Sequence, residues 1–369
     1  MSTAGRLLSP GVEETKPRRA QIVGTGLIGG SIGAALRRKG WVVAGFDVDR
    51  RRCELAVELG AVDRAGCDPG ASVVFVATPA GTVAEAAIEA LRRHPRAAVT
   101  DVAGVKSPVV AAVGDPRFVG GHPMAGSEQE GVEGADAEMF EGATWVLTPG
   151  PHTDPLAYTT VRSAVGQLGA NVVELSAARH DDLVALVSHV PHLTAATLMN
   201  LAAETATEHA TLLRLAAGGF RDMTRIAAGD ASIWPDVCAE NRQGIVAVLD
   251  RLIDSLAAVR AAVAFADRPA ILRMLERARQ ARVNLPAGVA AIGDAAEVRV
   301  PVPDRPGVLA EVTTLLGEMG VNIYDLEIAH SAEGERGVLV LVVDTSAAEA
   351  VRGALHGRGY RASTRPVGQ

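Results

Sequence analysis

The run AQIVGTGLIGGS, Ala20 to Ser31, sets an apolar strand directly against a glycine turn that opens a helical pattern. Gly24, Gly26 and Gly29 occupy the G-x-G-x-x-G positions, with Leu27 and Ile28 between the last two. In this pattern the first glycine makes a tight turn and the second lets backbone approach a pyrophosphate. The third lets helix lie on strand, and the anion sits at the helix N-terminus. The next apolar run ends in GFDVD, so Asp47 stands about 20 positions on, where an acid grips a ribose 2′-hydroxyl. An acid there repels a 2′-phosphate, which favours NAD as cofactor. Arg50, Arg51 and Arg52 follow closely and leave NADP open. Thr78 and Pro79, closing SVVFVATP, are expected beside the same cofactor.

The runs AQIVG, WVVAGFDVD, SVVFVATP, AAVTDVA, RFVGG, ATWVLTP and NVVELS read as strands. Their continuous apolar character suits a sheet covered on both faces. With helical stretches between several of them, the fold class is α/β, a Rossmann-type doubly wound parallel sheet over residues 19–176. Residues 1–18 read as a disordered tail. Strand signals vanish over residues 177–291, where DDLVALVSHVPHLTAATLMNLAAETA, WPDVCAENRQGIVAVLDRLIDSLAAVRAAVAFA and RPAILRMLERARQARVNL carry helical periodicity. Apolar helix faces this long are often buried between subunits, so this all-helical domain is expected to make a homodimer. After the small-residue linker NLPAGVAAIGDA, residues 296–369 read strand, helix, strand, strand, helix, strand. That is the order of a ferredoxin-like α+β domain.

Composition narrows the function classes. The 369 residues are 48% hydrophobic and carry a net charge of −7, which speaks against a nucleic-acid surface. No apolar run approaches the roughly 18 residues of a membrane span. The N-terminus lacks the apolar core of a signal peptide. Cys53, Cys67 and Cys238 are scattered, without metal-ligand spacing, and suit a reducing cytoplasm. No metal is expected.

His122 stands in GGHPMAGSE, a loop whose Gly and Pro content lets backbone come close to a ligand. An unperturbed imidazole, with pKa near ~6.5, is a usable proton acceptor at neutral pH. Packing for structure is the competing role. Together, GGHPMAGSE, SHVPH (Ser188 to His192) and GGFRDMTRIA (Gly218 to Ala227) resemble the signatures of the prephenate/arogenate dehydrogenase family. The resemblance covers residues 19–291. DRPGVLAEV and the later GVNI resemble an ACT domain, a small-molecule-sensing module.

The resemblance implies an NAD-dependent oxidative decarboxylation of prephenate or arogenate. His122 matches the histidine that holds the ring hydroxyl, and Arg225 the arginine that binds a substrate carboxylate. His192 matches a histidine of the substrate pocket and Trp234 an aromatic lining position, for which a plain core tryptophan is the competing role. Ser127, His189, Arg221 and Lys106 are expected nearby, Lys106 as an anion-steering residue beyond a strand tip. His189 and His192 share a helix face if the helix survives Pro191. Gly104 departs from the pattern, because many family members carry a serine there that supports the hydroxyl and the histidine. The ACT resemblance implies an effector, expected to be tyrosine, near Pro306, Gly307, Val308, Leu309 and Asn322.

Two other readings stand beside this one. A β-hydroxyacid dehydrogenase would use a lysine of the helical domain, and no Lys occurs over residues 177–291. A non-catalytic NAD- and amino-acid-sensing regulator is hinted at by Gly104 alone.

Overall fold

The computed structural model describes residues 17–126, 129–208, 218–283, 295–303, 305–330 and 336–366. The chain divides into two units: Met1–Val184 with Asp230–Arg242, and Ala185–Gly229 with Gln243–Gln369.

The first unit carries strands β1 (Arg19–Val23), β2 (Val42–Phe46), β3 (Arg64–Ala65), β4 (Val73–Val76), β5 (Ala98–Asp101), β6 (Phe118–Pro123), β7 (Thr144–Thr148) and β8 (Asn171–Glu174). Their order, β3-β2-β1-β4-β5-β6-β7-β8, winds outward in both directions from the β1–β4 pair. Such a switch point opens a crevice beyond the carboxyl ends of the strands. The helices are α1 (Leu27–Arg38), α2 (Arg50–Glu58), α3 (Val83–Arg93), α4 (Ser107–Val113), α5 (Pro155–Gln167) and α6 (Ala177–Val184). On α3, Val83, Ala87, Ala90 and Leu91 are buried at helical spacing, which fixes the face turned to the sheet. The Asp49 carboxylate caps α2 by accepting from the Arg51 N–H, and Asp154 caps α5 just ahead of Pro155.

The sheet differs from the expected parallel one at a single step. β6 and β7 pair antiparallel, with His122 opposite Val146. The described part of their connection holds only a short 3-10 turn (Val132–Gly134), so no crossover helix returns the chain to parallel. An apolar run looks the same in either direction, so composition could not reveal this. β3, only two residues long, was too short to show a period.

The second unit contains α7 (Val190–Glu208) and α8 (Gly218–Thr224). Next in sequence, α9 (Trp234–Glu240) belongs to the first unit, and α10 (Arg242–Ala264) and α11 (Arg268–Val283) follow. A π-helical turn over Ala185–His189 precedes α7. The Pro191 ring would press on the carbonyl four residues earlier in an ideal helix, and a wider turn relieves that clash. No helix among the described residues is long and apolar enough to cross a membrane.

The C-terminal sheet runs β10-β11-β9-β12, with every neighbouring pair antiparallel. Its strands are β9 (Ala295–Pro303), β10 (Asp325–His330), β11 (Arg336–Asp344) and β12 (Ser363–Pro366). α12 (Val308–Glu318) and α13 (Thr345–Gly357) complete the strand-helix-strand-strand-helix-strand order expected of a ferredoxin-like domain. Val298 and Val300 alternate into a core shared with Val312, Leu316 and Val351. Val308, expected to face an effector, lies in this core instead. As the first residue of an amphipathic helix it turns toward the sheet, so only its backbone can meet a ligand. Gly307 precedes it with φ of 89°, and Pro306, Leu309 and Asn322 are exposed.

Gly29 is where α1 meets the glycine turn: a Cβ there would sit 1.9 Å from the Gly24 carbonyl oxygen. Gly29→Ala is therefore expected to destabilise the first unit by about 1–3 kcal/mol, as overpacking does. Denaturant unfolding followed by circular dichroism checks this.

Candidate active site

At the end of β1, Gly24 has φ of 92°, and a Cβ on it would lie 2.4 Å from the Ala77 carbonyl oxygen. Only glycine makes this turn without strain. Gly26 caps α1 without a side-chain hydrogen bond, and the space where its Cβ would stand is open. The first amides of α1, opened by Leu27 and Ile28, are thus available to an anionic pyrophosphate. The Asp47 carboxylate is fixed across this loop by the Thr25 N–H at 2.9 Å and the Asp49 N–H at 2.9 Å. Arg50 pairs with Glu54 and Arg52 with Asp49, so two of the three arginines already serve surface carboxylates. A cavity of about 490 Å3 adjoins Asp47, lined by Phe46, Val48, Thr78, Pro79, Thr82 and Ala86 among others. The buried Thr78 hydroxyl oxygen has no hydrogen-bond partner there. An open glycine cradle, a placed acid and an orphaned hydroxyl fit the diphosphate, ribose and adenine of NAD.

His122 lies on β6, one position beyond Gly121, where a Cβ would come 2.6 Å from the Asp101 carbonyl oxygen. Its Nδ1 is 2.8 Å from Nε2 of His180, and Nδ1 of His180 is 2.8 Å from Oδ1 of Asp181. The direction of this chain follows from chemistry. A carboxylate only accepts, so His180 carries its proton on Nδ1. Its Nε2 then accepts from His122 Nδ1–H, which leaves the lone pair of His122 on Nε2. Burial pushes the Asp181 carboxyl up, but hydrogen bonds from His180, Ser107 and Lys106 outweigh it and hold it below the usual carboxylate range. The two backbone donors, Lys106 N–H and Ser107 N–H, each lie at 2.8 Å.

Lys106 is fully buried, so it cannot steer anions at the surface as expected. Its ammonium pairs with the Asp101 carboxylate, which also accepts from the Gly121 N–H at 3.0 Å. Burial pulls Lys106 below its ordinary value, against the pull of Asp101, Asp181 and Glu240. Glu240, on α9, is pushed up by burial first and by Asp236 second, and its Oε2 is buried without a hydrogen-bond partner. Asn241 donates from Nδ2 to the Asp181 carbonyl at 2.8 Å. Lys106 and Asp101 thus anchor β6, and through it the backbone that carries His122.

Trp234 is half-buried at the start of α9, in the first unit. The other motif residues belong to the second unit. His189 closes the π turn and is buried. His192, half-buried on α7, has its pKa lowered by burial and lies 3.7 Å from where a Gly229 Cβ would stand. Arg221 on α8 and Arg225, at the start of a 3-10 turn (Arg225–Ala228), are exposed. Ser127 lies outside the described residues. Among the described residues no group of three or more His, Cys, Asp or Glu could hold a metal ion.

Residues 32–174 match the family model of the prephenate dehydrogenase nucleotide-binding domain, and residues 176–277 that of the prephenate dehydrogenase dimerization domain. Residues 296–359 match the ACT domain. The prephenate dehydrogenase of Bacillus subtilis is 32% identical over 336 residues, covering 86% of this chain and 90% of the relative. The chain belongs to the prephenate dehydrogenase family. It is an NAD-dependent dehydrogenase. Among solved structures, it is similar to prephenate dehydrogenase from Aquifex aeolicus in complex with hydroxyphenyl propionate and NAD+. The TM-score is 0.68 at 29% identity, over 73% of this chain and 99% of that one. Arogenate dehydrogenase from Synechocystis gives a TM-score of 0.64 at 31% identity, over 72% of this chain and 98% of that one.

Within the family frame, Gly104 is a vacancy beside the His122 ring. A Cβ there would stand 3.8 Å from both Cε1 and Nε2 of His122, an ordinary contact, so the hydroxyl of a serine could reach Nε2. The His122–His180–Asp181 chain is present without it, which counters the reading of Gly104 as a mark of lost activity. His180, Asp181, Asp101 and Glu240 were not singled out from the sequence. The adjacent His and Asp of RHDD were the one local signal.

Asp181→Asn is expected to lower kcat by roughly 100-fold or more, with little change in NADH affinity, because the tautomer of both rings loses its anchor. Steady-state kinetics with NADH binding checks it. The folded Asp181 carboxyl titrates below its unfolded value. Its stabilisation is full above the ordinary carboxylate range and is lost as pH falls through the depressed value. The variant should therefore lose less stability than the parent between neutral and acid pH. Gly104→Ser should fold as well as the parent and change kcat/KM severalfold upward, by roughly one hydrogen bond's worth.

Proposed function

We propose that the protein oxidises prephenate with NAD, releasing CO2 and forming 4-hydroxyphenylpyruvate. The observation that carries this reading is the hydrogen-bonded run from Asp181 through His180 to His122, which ends in a ring nitrogen fit to take a proton. NAD, when bound, supplies the hydride acceptor. His122 Nε2 takes the proton of the ring hydroxyl as hydride leaves the same carbon. The positive charge is shared with His180 and stabilised by the Asp181 carboxylate. The ring carboxylate departs as CO2 and leaves its bonding pair in the ring, which becomes aromatic. The oxygen, now a phenolate, recovers its proton from His122, and the relay returns to its starting state.

Arg225 is the residue we assign to a substrate carboxylate, since its planar fork suits bidentate contact. His192 and Trp234 are assigned to substrate binding, as are Ser127 and Arg221. The buried His189 is assigned a supporting place. A second reading, arogenate in place of prephenate, is supported by the likeness to the Synechocystis enzyme.

We further infer a homodimer, cytoplasmic, with tyrosine as effector. Large apolar side chains on the second unit, among them Phe265 at 85% exposure and Ile253 at 60%, favour burial against a second copy. Three unpaired cysteines suit a reducing compartment. Tyrosine, one amino-group transfer beyond 4-hydroxyphenylpyruvate, would meet the ACT domain at Pro306, Gly307, the Val308 backbone, Leu309 and Asn322. A coupling of about 1–3 kcal/mol would be ordinary for such control.

NADH formation tests the reading, with NAD+ and either prephenate or arogenate, each with and without tyrosine. Turnover with prephenate is expected, slowed by tyrosine. Turnover with arogenate alone selects the second reading. No turnover with either substrate, and none with NADP+, overturns both.

A further inference from the structure

The cofactor cavity continues past Thr78 and Pro79 to Cys67 and to the buried side chains of Gln21 and His94. Cys67 is exposed, and its Sγ lies 3.3 Å from Nε2 of His94. His94 is only 3% exposed, and its Nδ1 lies 3.1 Å from the Ala90 carbonyl oxygen. A carbonyl only accepts, so the ring proton sits on Nδ1 and the lone pair of Nε2 faces the thiol. Arg93 lines the same cavity, with its guanidinium 5.7 Å from the centre of the Phe46 ring. A cysteine with a neighbouring base, open to solvent, is the setting of a reactive thiol, while the Arg93 guanidinium is paired with Glu89 at 2.6 Å. The buried Thr78 hydroxyl at the same cavity has no hydrogen-bond partner. The other two cysteines differ: Cys53 is buried and Cys238 only partly exposed. The reaction at His122 uses none of these groups.

We propose that Cys67 and His94 form a thiol–imidazole pair that reacts with small-molecule disulfides, and that the modified Cys67 excludes NAD from its cavity. The Cys67 sulfur attacks one sulfur of the disulfide. A new S–S bond forms, the old one breaks, and the departing thiolate leaves with the bonding pair. The thiol proton passes to His94 Nε2 and then to the released thiolate. Cys67 is oxidised to a mixed disulfide and half of the reagent is reduced to a thiol. The group left on Cys67 projects beside Phe46, Val48 and Pro79, in the volume the adenosine end would fill. A thiol reductant reverses the block. This proposal rests on the NAD site and is independent of which ring acid is the substrate.

The test uses the full-length protein and an aromatic disulfide that releases a coloured thiolate. NADH binding to the unmodified protein, followed by fluorescence, is measured first and tests the cofactor site by itself. Cys67 is expected to be labelled before Cys53 and Cys238, as peptide mass spectrometry would locate it. Saturating NAD+ is expected to slow labelling by about tenfold or more, because bound ligand protects in proportion to its occupancy. The labelled protein should bind NADH at least about tenfold more weakly and recover with reductant. Labelling at an unchanged rate with NAD+, or unchanged NADH affinity after labelling, overturns the proposal. His94→Gln should slow labelling of the protein without NAD+ by about tenfold, since it removes the base. An unchanged rate in that variant overturns the role of His94. The protection measurement needs no variant and stands even if His94→Gln fails to fold.

Discussion

One buried carboxylate organises the catalytic half of this molecule. Asp181 accepts from the ring of His180 and from the backbone N–H groups of Lys106 and Ser107, where α4 begins. Burying an anion is costly unless each lone pair finds a donor, and here the donors come from two separate segments. The carboxylate therefore does two things at once. It joins the end of the β5–α4 loop to α6, and it decides which nitrogen of His122 keeps its lone pair. In the proposed mechanism the proton transfer inherits its direction from a structural contact.

The Lys106–Asp101 pair plays the companion part. It is fully buried and lies at the tip of β5, and Asp101 reaches the backbone of Gly121, next to His122 in sequence. The internal lysine holds geometry, whereas Arg225, which we propose for a substrate carboxylate, is exposed to solvent. Position relative to solvent decides between these two roles for the same sign of charge.

Much of this was legible from residue order. The glycine spacing placed the first turn, the helix and Asp47, because each glycine answers a separate steric demand. The split order of the C-terminal domain was readable because strands and helices there differ clearly in period. What could not be read were relations between distant positions. His122 and His180 are 58 residues apart, and no local pattern announces that two rings will meet. The burial of Lys106 was equally hidden, since a lysine after a strand tip reads as solvated until its partner is seen. The antiparallel β7 escaped because hydrophobicity has no direction, and Val308 because an apolar residue after a turn serves core and ligand alike.

Asp47 carries a consequence for any attempt to remake the cofactor preference. Its carboxylate, which we propose reads a ribose hydroxyl, also clasps the glycine loop through the Thr25 amide and is itself braced by the Asp49 amide. Discrimination and loop architecture are vested in one functional group. Exchanging the acid for a small neutral residue to admit a phosphorylated ribose would unfasten the loop that must hold the pyrophosphate. Specificity here is not a detachable module, and re-engineering it calls for a substitute clasp before a new reader.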